Sequence, residues 1–268
     1  MNRRDELGQL PPCATTGIGS LPFLLGETAL ALSLKEDVPY LPQLPGLSGP
    51  SELIIPSALS GLAGVSVGQD GTCTLAWEPS AGDAPPPVDG VSSVASAAFL
   101  RALQQKKPKF AKAQLAGPAA LLAVAKTVTG APIAEIPQLA DRVVEHLAAK
   151  AAATARVLRQ ANVRPMLFLD EPGLGEAKLP VAALELVRRA ARREGALVGV
   201  HCCGQTRWAE LLGLGFDLIS LDVRLSLDAL LEDRLAWRRF LEGGATLSLG
   251  IIPTALGARY DVGELCDS

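Results

Sequence analysis

The sequence predicts an α/β fold, a TIM (β/α)8-type barrel that lacks the eighth strand in this chain. Short apolar runs alternate with segments of helical periodicity, which is typical of parallel strands joined by right-handed crossovers. Gly and Pro stop several of these runs, where a strand would leave the sheet. The chain has 268 residues, and barrels of this type commonly use about 250 residues as one unit. We therefore expect a single barrel domain, residues 1–268.

Seven strands are expected where a closed barrel needs eight. They are Ala14–Ser20, Val38–Leu41, Ala113–Ala116, Met166–Leu169, Leu197–Val200, Leu218–Leu221 and Thr246–Ile251. The expected helices are Phe23–Lys35, Ile136–Gln160, Val181–Glu194, Thr206–Leu214 and Ser226–Leu241, with a further one beginning at Val262. Residues 42–96 are rich in Gly, Pro and Ser and are interpreted as an elaborated loop region, with a hairpin around Cys73 to Trp77.

Composition excludes several function classes. Hydrophobic residues make up 49% of the chain and the formal net charge is −3, so a large core is available and no basic surface indicates nucleic acid. No apolar run approaches the ~20 residues of a membrane span. The 5 cysteines are scattered apart from one adjacent pair, unlike a disulfide framework. We expect a soluble cytoplasmic protein with reduced thiols and neither nucleic-acid nor membrane partners.

The sequence His201-Cys202-Cys203-Gly204 follows the fifth predicted strand. Because side chains two apart on a strand point the same way, His201 and Cys203 project together and Cys202 turns to the opposite face. Imidazole and thiolate ligands suit Zn²⁺, and Asp222 at the end of the next strand offers an oxygen ligand. A packed strand end is the alternative, since Cys is often simply buried.

The other chemically interesting residues also follow predicted strands. In a barrel of this kind the carboxyl ends of the strands form one rim, which is where active sites are built. The residues expected on this rim are Ser20, Asp170, Glu171, His201, Cys203, Asp222 and Thr254. We place the candidate catalytic acids at Asp170 and Glu171.

An ordered set of motifs resembles the catalytic barrel of cobalamin-independent methionine synthase. The set is Thr16-Gly17-Ile18-Gly19-Ser20-Leu21-Pro22, Ala116-Gly117-Pro118, Leu169-Asp170-Glu171-Pro172, His201-Cys202-Cys203-Gly204 and Gly250-Ile251-Ile252-Pro253-Thr254. The chain more closely resembles the short single-barrel relatives grouped with uroporphyrinogen decarboxylases. The resemblance extends from about residue 14 to 255.

The resemblance implies a zinc-dependent transfer of a methyl group to a homocysteine-like thiol. It assigns the substrate carboxylate to Ile18, Gly19 and Ser20, and the substrate amine to Asp170. It assigns zinc to His201 and Cys203, with Asp222 where the family has a Glu. The family's final Cys ligand has no counterpart here, and Cys266 lies in a different context. The implied methyl donor is methyltetrahydrofolate or a methylated corrinoid protein.

Each feature also has a structural explanation. The glycines of the Gly17–Ser20 segment would suit a tight turn, Asp170 and Glu171 could sit at the positive end of a helix, and Asp222 could cap one. Two other function classes stay open. A uroporphyrinogen decarboxylase-like enzyme would need an arginine cluster that Arg3 and Arg4 do not convincingly supply. A non-catalytic relative with open strand edges would act as a binding or assembly partner, including as a homo-oligomer.

Overall fold

The computed structural model describes residues 5, 7–47, 49–76, 88–172, 174–175 and 179–252. The predictions that fall on Thr254, Val262 and Cys266 therefore lie outside the described residues. In the described part of the chain, no helix is both long enough and apolar enough to cross a membrane.

A five-stranded parallel sheet forms the centre of the fold. Its strands are β3 (Phe110–Ala116), β5 (Arg164–Asp170), β6 (Leu197–Cys202), β7 (Leu218–Asp222) and β8 (Thr246–Gly250), in that spatial order. Each strand pairs in parallel with its neighbour. The five corresponding predicted strands are confirmed, although β3 and β5 begin earlier than expected. Polar and proline residues at those starts hid part of the strands from an apolar pattern.

The first two predicted strands are not regular strands. Residues 38–43 lie between residues 15–20 and β3, held by isolated parallel bridges from Ser20 to Gln43 and from Tyr40 to Lys112. Prolines at positions 39 and 42 remove backbone donors, so a continuous ladder cannot form. Seven segments thus follow the predicted order. Among the described residues no pairing closes the sheet between β8 and residues 15–20, and a closed barrel is not shown.

Residues 42–96 contain more structure than the predicted loop. The strands β1 (Val65–Val67) and β2 (Cys73–Leu75) form an antiparallel hairpin, and β4 (Lys126–Thr127) pairs in parallel with β2. The hairpin was predicted at Cys73, whereas Trp77 lies outside the described residues. The region also includes helix α2 (Ile54–Leu59) and the buried Glu52, which accepts hydrogen bonds from the backbone of Leu44 and Val94.

Helices cover the outer face of the sheet. Besides α2 they are α1 (Gly26–Ser33), α3 (Ser96–Lys106), α4 (Pro118–Val124), α5 (Pro137–Gln160), α6 (Val181–Arg193), α7 (Trp208–Gly213), α8 (Val223–Glu232) and α9 (Arg234–Glu242). The prediction of a single helix from Ser226 to Leu241 is wrong, because Asp233 separates two helices. The Asp233 carboxylate accepts the Ala236 backbone N–H and starts a new helix.

The two faces of the sheet differ. The outer face packs its aliphatic side chains against the helices in the main core. The opposite face, called here the interior face, carries a smaller apolar cluster toward the amino ends of the strands. Its buried members are Leu7, Val38, Phe110, Met166, Phe168, Leu197 and Leu218. Alternation along each strand therefore assigns Lys112, Gln114, Asp170, His201 and Ser220 to the interior face, toward the carboxyl ends.

Candidate functional site

A polar row crosses the sheet where the strands end. The register pairs Ala116 with Asp170, Asp170 with His201, and His201 with Ser220. His201 Nδ1 lies 3.0 Å from Ser220 Oγ, which orients the imidazole ring. Burial, with the nearby Lys112 charge, lowers the pKa of His201 to about 4. The imidazole is therefore neutral at pH 7 and has a lone pair for a metal or a proton.

Asp170 is the least satisfied group in this row. Its side chain is buried and, in the described part of the chain, its Oδ1 atom has no hydrogen-bond partner. Burial raises the pKa of Asp170 to about 7, partly offset by the positive charge of Lys112. Because buried polar atoms are nearly always hydrogen-bonded, an unpartnered carboxylate oxygen here points to a ligand donor.

Lys112 joins the site and was missed by sequence reasoning. Its ammonium donates hydrogen bonds of 2.9 Å to the backbone carbonyls of Gly17 and Ile18, and it lies 5.0 Å from the centre of the Phe168 ring. Burial lowers the pKa of Lys112 to about 8, partly offset by Asp170. The third strand was predicted to begin at Ala113, which left Lys112 outside it. The signal was present as the alternation of Phe110, Lys112 and Gln114.

The Gly17–Ser20 segment is shaped by these inner side chains. A Cβ atom at Gly17 would lie 2.4 Å from the Tyr40 ring, and one at Gly19 would lie 1.4 Å from Gln114 Nε2. Gly19 also has a φ of +123°, which favours glycine. Close approach of Tyr40 and Gln114 therefore adds to the tight-turn explanation of these glycines. Ile18 is half-buried and Ser20 is exposed.

Glu171 lies on the other side of the sheet from Asp170. It is fully buried and accepts hydrogen bonds from the backbone N–H groups of Ala119 (3.0 Å) and Ala120 (2.7 Å) at the start of α4. Burial raises the pKa of Glu171 to about 7, although these two hydrogen bonds act to lower it. The role of Glu171 as a catalytic acid stays a prediction, and the described contacts of Glu171 are structural ones. They anchor the N-terminus of α4.

The three predicted zinc ligands are only partly brought together. Cys202 is buried in the main core, whereas Cys203 is exposed and follows the end of β6. Asp222 Oδ1 accepts the backbone N–H groups of Arg224 (2.9 Å) and Leu225 (3.1 Å), so this carboxylate caps α8. Among the described residues no group of three His, Cys, Asp or Glu could hold a metal ion. The arrangement as it stands does not fit a site with three protein ligands.

Comparison with known proteins gives the fold. No family model matches the chain, and no curated protein matches it. A solved structure does. It is a B12-independent methionine synthase from Shewanella sp. W3-18-1, in complex with selenomethionine. The TM-score is 0.54 with 16% sequence identity, over 90% of this chain and 74% of that one. At this identity the similarity shows a shared fold, and the function of this chain must be argued from its own site.

Proposed function

We propose that this protein is a methionine synthase-like methyltransferase that methylates the sulfur of an amino-acid thiol such as homocysteine. The observation that carries the proposal is the buried carboxylate of Asp170 in the polar row of the interior face, whose Oδ1 atom has no hydrogen-bond partner among the described residues. The shared fold supports it, since the similar solved structure is a B12-independent methionine synthase in complex with selenomethionine. An ammonium group of the substrate would satisfy that oxygen with a charge-assisted hydrogen bond.

The roles of the remaining residues follow from this placement. Ile18, Gly19 and Ser20 would bind the substrate carboxylate, on a segment whose carbonyls are held by Lys112. The substrate sulfur would attack the methyl carbon, so that an S–C bond forms and the bond from the methyl group to its donor breaks. The electron pair of the broken bond stays with the donor, and the thiol proton is released to the donor or to solvent. Methyltetrahydrofolate and a methylated corrinoid protein stay as the two proposed donors.

Binding of the amino-acid head group tests the proposal. We expect Asp170→Asn to weaken homocysteine binding about ten-fold or more, because a hydrogen bond to a charged group contributes about 1.5–3 kcal/mol and 1.4 kcal/mol is one decade. Calorimetry would compare homocysteine with a plain alkyl thiol. Asp233→Asn is the matched control, because Asp233 caps α9 and Asn caps equally well. Equal affinity for both thiols in the unchanged protein would refute the proposal.

Zinc bound by His201 and Cys203 stays a prediction with its own test. We expect the zinc content of protein purified without chelator to fall in Cys203→Ser and to be unchanged in Cys202→Ser, because Cys202 is packed in the core. Asp222→Asn should also leave the zinc content unchanged, since Asn preserves the cap of α8. Elemental analysis of the three variants measures this. Equal zinc in Cys203→Ser and the unchanged protein would exclude the predicted ligand.

A further inference from the structure

The interior face holds two buried charges of opposite sign at the carboxyl ends of the strands. Lys112 is 3% exposed and Asp170 is 8% exposed. Two other carboxylates lie nearby. Glu171 lies on the outer face, and Asp222, which is only half-buried, caps α8. Among the buried residues that the structure describes on this face toward those ends, one cation therefore faces one anion.

The positive charge is fixed in position. Lys112 Nζ donates to the Gly17 and Ile18 carbonyls, and its third contact is Gln114 Oε1 at 3.5 Å. The Phe168 ring lies beneath the ammonium group at 5.0 Å. Because these neighbours are neutral, they hold the ammonium group without cancelling its charge.

The two charges influence each other without being joined. Asp170 and Lys112 shift each other's pKa through space, yet Asp170 Oδ1 has no hydrogen-bond partner in the described part of the chain. The site therefore offers a free acceptor for a positive group and, separately, a positive potential for a negative group. A buried pair of opposite charges disfavours any ligand that leaves one of the two charges unpaired, because an unpaired buried charge is costly.

We propose that Lys112 is a specificity-determining residue, which together with Asp170 makes the site select ligands that carry both an ammonium and a carboxylate group. This inference rests on the proposed binding of an amino acid at Asp170 and adds the reason for its charge selectivity. An amine without a carboxylate would leave an excess positive charge beside Lys112. A carboxylate without an amine would leave Asp170 unpaired.

A charge-exchange experiment tests the inference. The ligands are methionine, methylthiopropylamine (methionine without its carboxylate) and methylthiobutanoate (methionine without its amine). Calorimetry would measure each with chelator-treated protein, with Lys112→Met and with Asp170→Asn. The unchanged protein should prefer methionine over either analogue by about ten-fold or more. In Lys112→Met, the affinity for methylthiopropylamine relative to methionine should rise about ten-fold. In Asp170→Asn, the affinity for methylthiobutanoate relative to methionine should rise by a similar factor.

The ratio of affinities separates selectivity from a structural role. Losing the contacts of Lys112 to the Gly17 and Ile18 carbonyls would weaken all three ligands alike and leave the ratio unchanged, which would overturn the inference. Lys150→Met is the matched control, because Lys150 is also buried but donates to the Ser60 carbonyl at 3.3 Å. In Lys150→Met, the ratio of the affinities for methionine and for each analogue should equal that of the unchanged protein.

The two proposals fail in different ways. If the unchanged protein binds methionine but neither variant shifts the ligand preference, the proposed role of Lys112 in selectivity is wrong and the proposed amino-acid site stands. If the unchanged protein binds none of the three ligands, both proposals are wrong. Should Lys112→Met not fold, the Asp170→Asn arm still decides the inference, since a preference that does not move toward the acid contradicts charge balance.

Discussion

Gly117→Ala should lower the free energy of unfolding by about 3 kcal/mol or more, because overpacking costs about 1–3 kcal/mol and each lost hydrogen bond to a charged group about 1.5–3 kcal/mol. A Cβ atom at Gly117 would lie 2.2 Å from the carboxyl carbon of Glu171. Glu171 cannot turn away without losing its two hydrogen bonds to the N-terminus of α4. The chain must therefore either strain the end of β3 or release this anchor.

Denaturant unfolding measures this effect, with the slope of the transition as a check on two-state behaviour. Gly213→Ala is the control, because Gly213 ends α7 and a Cβ atom there meets nothing within 4 Å. In a helix this change should stabilise by up to about 1 kcal/mol. If both variants had the same stability, the close packing of Glu171 against Gly117 would be disproved.

The parallel sheet was predictable because four of its five strands, all but β8, are buried on both faces. Such strands are nearly continuous apolar runs, and Leu197–Val200 and Leu218–Leu221 stand out from their surroundings for that reason. The segments at residues 15–20 and 38–43 were predicted as regular strands, whereas the structure shows them as irregular extended segments. Their backbone is set by two prolines and by contacts to side chains distant in sequence, which no local pattern contains.

The candidate site was harder to predict than the fold. Asp170, Glu171 and Asp222 all follow predicted strands, and sequence reasoning assigned all three a functional role, Asp170 and Glu171 in catalysis and Asp222 at zinc. Their surroundings differ only through tertiary contacts. Glu171 lies at a helix N-terminus, Asp222 caps a helix, and Asp170 Oδ1 has no hydrogen-bond partner in the part of the chain that the structure describes. Lys112 was missed for a related reason. A lysine inside a strand signals exposure on average, and only the fold shows that its charge is buried.

The charge of the interior face also bears on the decarboxylase-like alternative. A substrate with many carboxylates needs several cations, whereas the described residues assigned to that face toward the carboxyl ends of the strands offer Lys112 alone. Arg3 and Arg4, which that alternative would use, lie outside the described residues. A zwitterionic amino acid matches one cation and one anion better than a polycarboxylate does.

Methionine should bind the chelator-treated protein roughly twenty-fold more tightly at about pH 7.5 than at about pH 5.5, because affinity scales with the fraction of protein in the binding-competent state. Only the ionised carboxylate of Asp170 offers an ammonium group a hydrogen bond between opposite charges, and the pKa of Asp170 is raised to about 7. As the pH rises through that value the carboxylate forms, so affinity increases with pH. His201 does not titrate in this window, since its pKa is lowered to about 4.

The change of methionine affinity with pH is due to Asp170 only if replacing Asp170 abolishes it. Asp170→Asn should bind methionine weakly and with nearly constant affinity over the same pH range. Lys112, whose pKa is lowered to about 8, begins to lose its charge near the upper end of this range, so affinity should level off there. Glu171 also titrates near pH 7, and any slope left in Asp170→Asn measures its contribution. A full slope in that variant would mean that Asp170 is not the group that receives the substrate ammonium.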